Sequence, residues 1–437
     1  MKNVEITLEN GCVKKLFFKF AIPSIVGMLI VSVQTMVDGI FIANNVGMRG
    51  LAAVNLSMPY IFFLTSIALM ITSGGSVIAG IYYGNNNIKK ADETKSFTVL
   101  MFIAIIGLVS IFSMIFLKNI ITFLGADDLM RTYVEPYLSI MIIFSIFYNF
   151  PIVTETFVRL KGKPNLVFLS GAICFLGNVI LDYLFIIKMG WGMEGAAIAT
   201  CIANVIGSLA LIKFLDLKKP KGNFEVLKKI LYNGSSEMLT LLSSSITMYI
   251  FNLVVMRNIG ELGVSALTIV FYINSIVSIS LYGLSQALQP IVSYNLGAQR
   301  FTKIYDVLKI ATISGGAIGL ISFILMKFYS GPIINIFSKG DKSLILLTGE
   351  VISYFSFAYI FSFINIISSS LHTAIEKPLE SAFIACGHSI IFVVIALMIL
   401  PLFLGNIGIW LAIPFGEFLC IILSIPLTIK SLKNIAN

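Results

Sequence analysis

Twelve apolar stretches, each long enough to cross a bilayer, follow one another along this 437-residue chain. They fall at roughly 16–43, 51–83, 95–117, 132–158, 165–187, 193–213, 230–256, 264–294, 305–328, 345–372, 379–402 and 407–429. Strands of a membrane barrel alternate over segments of about ten residues, and these runs are far longer. The expected fold class is therefore an all-α integral membrane protein. Composition agrees, with 58% hydrophobic and only 12% charged residues, against about 25% charged in a soluble domain.

The net charge of +9 does not point to nucleic acid, because the basic residues sit in loops between the apolar runs. Placing both termini in the cytoplasm puts 22 of the 30 Lys and Arg on the inner side, which fixes the expected orientation. Apolar character starts near Leu16 and runs far beyond the length of a leader's apolar core, so no cleavable signal peptide is expected. Five scattered cysteines without a paired spacing and two histidines, His372 and His388, argue against disulfides and against a zinc or iron site.

The two halves of the sequence repeat. Gly47, Gly50, Ala53 and Gly84 match Gly260, Gly263, Ala266 and Gly297 at an offset of 213, and Gly162-Lys163-Pro164 faces Glu376-Lys377-Pro378 at 214. A six-span unit returns to its starting side, so the expected architecture is two parallel-repeat six-helix bundles around a central cleft. The reading divides the chain into a first bundle at 1–214, a basic cytoplasmic linker at 215–229 and a second bundle at 230–437. Paired bundles of this kind suit alternating access, so secondary active transport is the function class implied.

Ionisable residues within a bilayer are costly and mark function. Asp38 lies about one and a half turns inside the outer end of span 1. Asp182 lies at a similar depth in span 5, with Asn178 one turn away on the same face. Thr200 in span 6 and Tyr137 in span 4 reach the same level. Oxygen groups including two carboxylates suit a sodium ion or a proton. At an offset of 213, Asp38, Asn178 and Asp182 fall on Phe251, Ile391 and Ile395, so the second half lacks this set. Gln34, Asn252, Asn274 and Gln286 are candidates for lining a substrate cleft. Glu237 and Glu417 are candidate ionisable sites of the second bundle, and Glu155 is placed to pair with Arg159. Pro23 and Pro290 are expected to kink their helices.

The residues then resemble a known family. Gln34-Thr35-Met36-Val37-Asp38-Gly39-Ile40-Phe41-Ile42, Gly50-Leu51-Ala52-Ala53-Val54-Asn55, Arg159-Leu160-Lys161-Gly162-Lys163-Pro164 and Gly177-Asn178-Val179-Ile180-Leu181-Asp182 resemble the multidrug and toxic compound extrusion (MATE) transporters, DinF- and MepA-like rather than NorM-like. The likeness spans essentially the whole chain. It implies export of amphipathic, often cationic drugs or toxic metabolites across a bacterial cytoplasmic (inner) membrane, by antiport against H+ or Na+. It also implies a first-bundle cation site at Asp38, Asn178, Asp182, Thr200 and Tyr137. The NorM-like second-bundle carboxylate in span 10 is missing, with Asn365 in that span.

The expected partners are small molecules and the lipid bilayer, with no nucleic acid, no cofactor, no metal beyond Na+ and a functional monomer. A lipid-linked saccharide or lipid flippase of the related superfamily is the alternative, disfavoured by twelve spans and a buried acid pair. An enzyme is not expected, since no serine–histidine pairing, metal cluster or phosphate loop is present.

Overall fold

The structure, a computed structural model, describes residues 12–338 and 341–436. Lys2 and Lys339, counted above for orientation, lie outside those residues, as does most of the segment before Leu16. Within hydrocarbon every backbone N–H and C=O needs an internal partner, so long apolar runs fold as helices. The described residues form helices throughout and contain no strand.

In chain order the spans are α1 (Val13–Asn45), α2 (Met48–Gly84), α3 (Ile88–Ile115), α4 (Asp128–Ile143 and Ser145–Leu160), α5 (Pro164–Lys188) and α6 (Gly192–Leu215). The second set is α7 (Phe224–Asn258), α8 (Glu261–Gly297), α9 (Phe301–Tyr329), α10 (Lys342–Phe355 and Ala358–Ala374), α11 (Pro378–Leu404) and α12 (Asn406–Ala436). Ten of these are single helices long and apolar enough to cross a membrane. The other two, α4 and α10, are bent pairs, turning by 50° and 49°. A fully buried serine stands at each break, Ser145 and Ser356. α1 and α8 each run as one helix through Pro23 and Pro290.

The internal repeat is written into the backbone. Gly47 (φ 99°) and Gly260 (φ 90°) precede α2 and α8, each 37 residues long. Asn86 and Gln299 just beyond those helices, and Gly162 and Glu376 before α5 and α11, also share positive φ. Pro164 and Pro378 open α5 and α11, where the missing N–H would have no helical partner in any case.

The residues pack into two compact units: Phe18–Met238, and Leu239–Asn437 with Cys12–Phe17. α7 is one continuous helix whose first part belongs to the first unit. The cause is a backbone-to-backbone crossing with α2. A Cβ on Gly74 would fall 1.9 Å from the Ile230 carbonyl oxygen, and one on Gly234 would fall 1.7 Å from that of Met70. Glu237, one turn beyond Gly234 and expected in the second bundle, therefore stands in the first unit. Ile61, Leu64, Val134, Leu138 and Met141 lie at the core of the first unit; Phe251, Leu267, Tyr359 and Trp410 lie at that of the second.

The chain after α6 is also bound to the first unit. The Lys218 N–H donates to Ser96 Oγ at 2.9 Å, and Lys221 lies 3.7 Å from Glu93. Asp216 sits 3.1 Å from Lys218 and 3.8 Å from Lys161. Beneath them Lys95 is fully buried and paired with Asp92 at 2.7 Å, which also accepts from Tyr83. The hydrogen bond from Lys218 holds the Asp216 carboxyl below its ordinary value. Burial, with Lys95 nearby, pushes Lys161 down to about 8.

Gly234→Leu is expected to cost on the order of 3 kcal/mol or more by forcing the α2–α7 crossing apart. Gly171→Ala, whose new methyl meets nothing within 4 Å, is expected to leave the melting temperature unchanged or raised. Thermal unfolding in detergent distinguishes them. For Lys161 the unfolded chain binds the extra proton between about pH 8 and the ordinary lysine value, so this group makes stability rise with pH over that window. Lys161→Met is expected to raise the melting temperature at pH 7 by roughly 2 °C and to flatten the rise between pH 8 and 10.

Candidate functional site

The densest set of unsatisfied polar groups lies inside the first unit, on α1, α5 and their neighbours. Helical spacing puts Cys174, Asn178 and Asp182 on one face of α5, one turn apart. Cys174, Asn178 and Asp182 are all buried, Asn178 and Asp182 almost completely. α5 lies against α6 and α4. Asp182 is the last residue before a π-helical turn, Tyr183–Lys188. Such turns break the regular ladder and recur at functional sites.

Asp38 of α1 meets Asp182 here. The two carboxyl groups lie within reach of a shared hydrogen bond once one of them carries a proton. As carboxylates they have nothing to share: both Asp182 oxygens, Asp38 Oδ1 and both amide atoms of Asn178 have no hydrogen-bond partner. A buried polar atom left in this state costs about 1–3 kcal/mol, and more when charged. Two acceptor-only groups facing each other need a cation between them or a proton on one.

Tyr137 is buried in the core of the first unit, within electrostatic reach of Asp38, Asp182, Tyr148 and Cys201. It stands in the first segment of the bent α4, Asp128–Ile143. Thr200 on α6 donates its hydroxyl to the Ala196 carbonyl at 3.0 Å, which leaves its lone pairs free. No hydrogen bond joins it to either aspartate among the described residues. Gln34, expected toward the cleft, is buried one turn from Asp38, with its Oε1 3.8 Å from Cys174 Sγ.

Three participants escaped the sequence reading. Asn204 accepts from Cys174 at 3.0 Å and donates to the Tyr148 carbonyl at 2.9 Å. Tyr148 itself lies within reach of Asp38. Cys174 and Asn204 stand one turn from Asn178 and Thr200, so extending the same face by four residues would have found them. Tyr148 lies beyond the bend of α4, which no local pattern announces. The Glu155–Arg159 pair is present at 3.8 Å. Asn252, Asn274 and Gln286 are partly exposed on α7 and α8 of the second unit. Glu417 is buried in the second unit, on α12.

Membrane-length helices in two repeated sets, with a shielded carboxylate pair inside the first, define a polytopic transporter rather than an enzyme. The MatE family profile matches residues 23–184 and again 238–400, and this chain belongs to that family of membrane transporters. "Multidrug export protein MepA" from Staphylococcus haemolyticus is 21% identical over 436 residues, covering 98% of this chain and 95% of the relative. Among solved structures, a MOP superfamily transporter from Pyrococcus furiosus superposes with a TM-score of 0.92 at 20% identity, covering 100% and 99% of the two chains. The Vibrio cholerae MATE transporter VcmN superposes with a TM-score of 0.90 at 17% identity, covering 97% of each.

Removing one of the two facing charges relieves their repulsion. At pH 10 in choline chloride, Asp182→Asn is therefore expected to melt several degrees above the parent, for a gain of about 1–3 kcal/mol. The parent is expected to gain stability on adding Na+ or on lowering the pH, and the variant to lose most of that gain. Differential scanning fluorimetry over a salt and pH grid reads both.

Proposed function

We propose that this chain is a multidrug exporter that moves amphipathic, often cationic, organic compounds out of the cell in exchange for Na+ or H+. The observation that carries the reading is the Asp38–Asp182 pair, two facing carboxyl groups with no donor between them. A cation of the inward gradient satisfies them. The names carried by the curated relatives support the direction and the cargo.

Asp38 and Asp182 hold the coupling cation, either as Na+ ligands with Asn178 and Thr200 or as a proton shared across the pair. The Asn178 amide oxygen and the Thr200 lone pairs are the neutral ligands a sodium ion would use. Tyr137 covers the pair from α4. A bound cation cancels the negative charge that would attract a cationic drug, so the two loads exclude each other and exchange follows by alternating access. Both termini lie in the cytoplasm, in accord with the basic loops on that side, and the transporter acts as a monomer.

Dye efflux from proteoliposomes tests this, with a sodium or a proton gradient imposed separately. One gradient is expected to drive export of a fluorescent cationic dye. Asp38→Asn is expected to reduce gradient-driven export at least tenfold while the protein still folds. Wild-type rates in Asp38→Asn would sink the coupling role. Movement of a lipid-linked saccharide without dye export would favour the flippase reading.

A further inference from the structure

The second unit encloses a titratable cluster that the coupling site does not use. His388 lies on α11 and Glu417 on α12, both buried. His388 Nδ1 is 3.2 Å from Glu417 Oε1. Asn365 on α10 donates its amide to Glu417 Oε2 at 2.7 Å and to the Glu417 backbone carbonyl at 2.9 Å. The Ser424 hydroxyl donates to Asn365 Oδ1 at 2.8 Å. That last bond decides which way the amide points, since its oxygen is taken and its NH2 must face the carboxylate.

Three helices thus build one site, and its backbone is shaped for it. His388 sits in a π-helical turn, Gly387–Ile391, as Asp182 borders one on α5. The residues next to the pair are glycines packed against the opposite helix. A Cβ on Gly387 would come within 3.2 Å of Cys420 Sγ, and one on Gly416 within 2.9 Å of the Val393 backbone nitrogen. α11 and α12 are therefore drawn together on either side of the pair, which holds His388 against Glu417.

From this geometry we infer that His388 and Glu417, held by Asn365, form a second proton-binding site inside the α10–α11–α12 layer of the second unit. The ligand is a proton and not a metal ion. Both carboxylate oxygens face nitrogen groups, and the one amide oxygen nearby is occupied by Ser424, so a sodium ion would find no further oxygen ligands. With a neutral imidazole, Nδ1–H donates to Glu417 and the pair carries one negative charge. An added proton goes to Nε2, which makes no hydrogen bond among the described residues, and the pair becomes neutral overall as imidazolium and carboxylate. The other titratable side chain at the site is Cys420, one turn along α12. α10 contributes the neutral Asn365. No Lys or Arg pairs with Glu417 among the described residues. This site stands on the second unit alone and does not depend on which cation Asp38 and Asp182 take.

Because the chain has only two histidines, nitrogen NMR of 15N-histidine-labelled, full-length protein in detergent tests the inference directly. His372→Gln assigns the two sets of resonances. His388 is expected to titrate reversibly between pH 5 and 8.5 in the parent protein, with Nδ1 keeping the shift of a hydrogen-bonded donor. Glu417→Gln and Asn365→Ala are each expected to change that response, because each removes a partner of the pair. A His388 signal that stays in one protonation state from pH 5 to 8.5 in the parent would overturn the site. So would a titration unchanged in Glu417→Gln. Neither readout requires transport, so failure here leaves the exporter reading intact, and failure of dye export leaves this site standing.

Discussion

The absence of water around the spans governs the rest of this molecule. A backbone group without a partner in hydrocarbon costs several kcal/mol, which forces helices. The same rule makes every polar side chain in the interior account for itself. Most do so locally, through hydroxyl bonds to a carbonyl one turn back, as at Ser57, Thr98, Ser110 and Thr200. Among those that do not, two groups matter most here. One is the Asp38–Asp182–Asn178 set, whose atoms lack donors or acceptors. The other is the His388–Glu417–Asn365 set, whose atoms satisfy one another. The first leaves its polar atoms open, and the second closes on itself.

The two halves show how a repeat can diverge in chemistry while keeping its frame. The frame is conformational: the left-handed residues before α2 and α8, the prolines opening α5 and α11, and bends near the middle of α4 and α10 recur at nearly constant offset. The chemistry sits on side chains, which are free to differ. Oxygen-rich, donor-poor surroundings mark the first unit's site. Nitrogen donors mark the second's. Both sites border π-helical turns of equivalent helices, where the loosened ladder re-aims a side chain.

Glycine determines where helices come closest. At the α2–α7 crossing, Gly74 and Gly234 let backbone meet backbone, the arrangement expected where small residues replace the missing hydrophobic drive between helices. This contact carries the first part of α7, with Glu237, into the first unit. At α11–α12, Gly387 and Gly416 do the same for the proton pair. In each case a single methyl group would collide with a backbone or a packed side chain.

The sequence by itself determined the number and rough limits of the spans, their helical nature, the repeat and its offset, and the α5 face that bears Asn178 and Asp182. Those depend on hydrophobic run length, on residues needing positive φ and on the four-residue period, all local properties. The depth of each span end was enough to set Asp38, Asp182 and Tyr137 at one level. Which faces turn toward each other was left to the tertiary structure, because rotation of one helix against another leaves no trace in either helix's own pattern. Hence Tyr148 joining the first site, Glu237 falling in the first unit, and the bends of α4 and α10 became visible only in the folded chain. The link between His388, Glu417 and Asn365 belongs with them: these residues lie on three helices, and what joins them is packing.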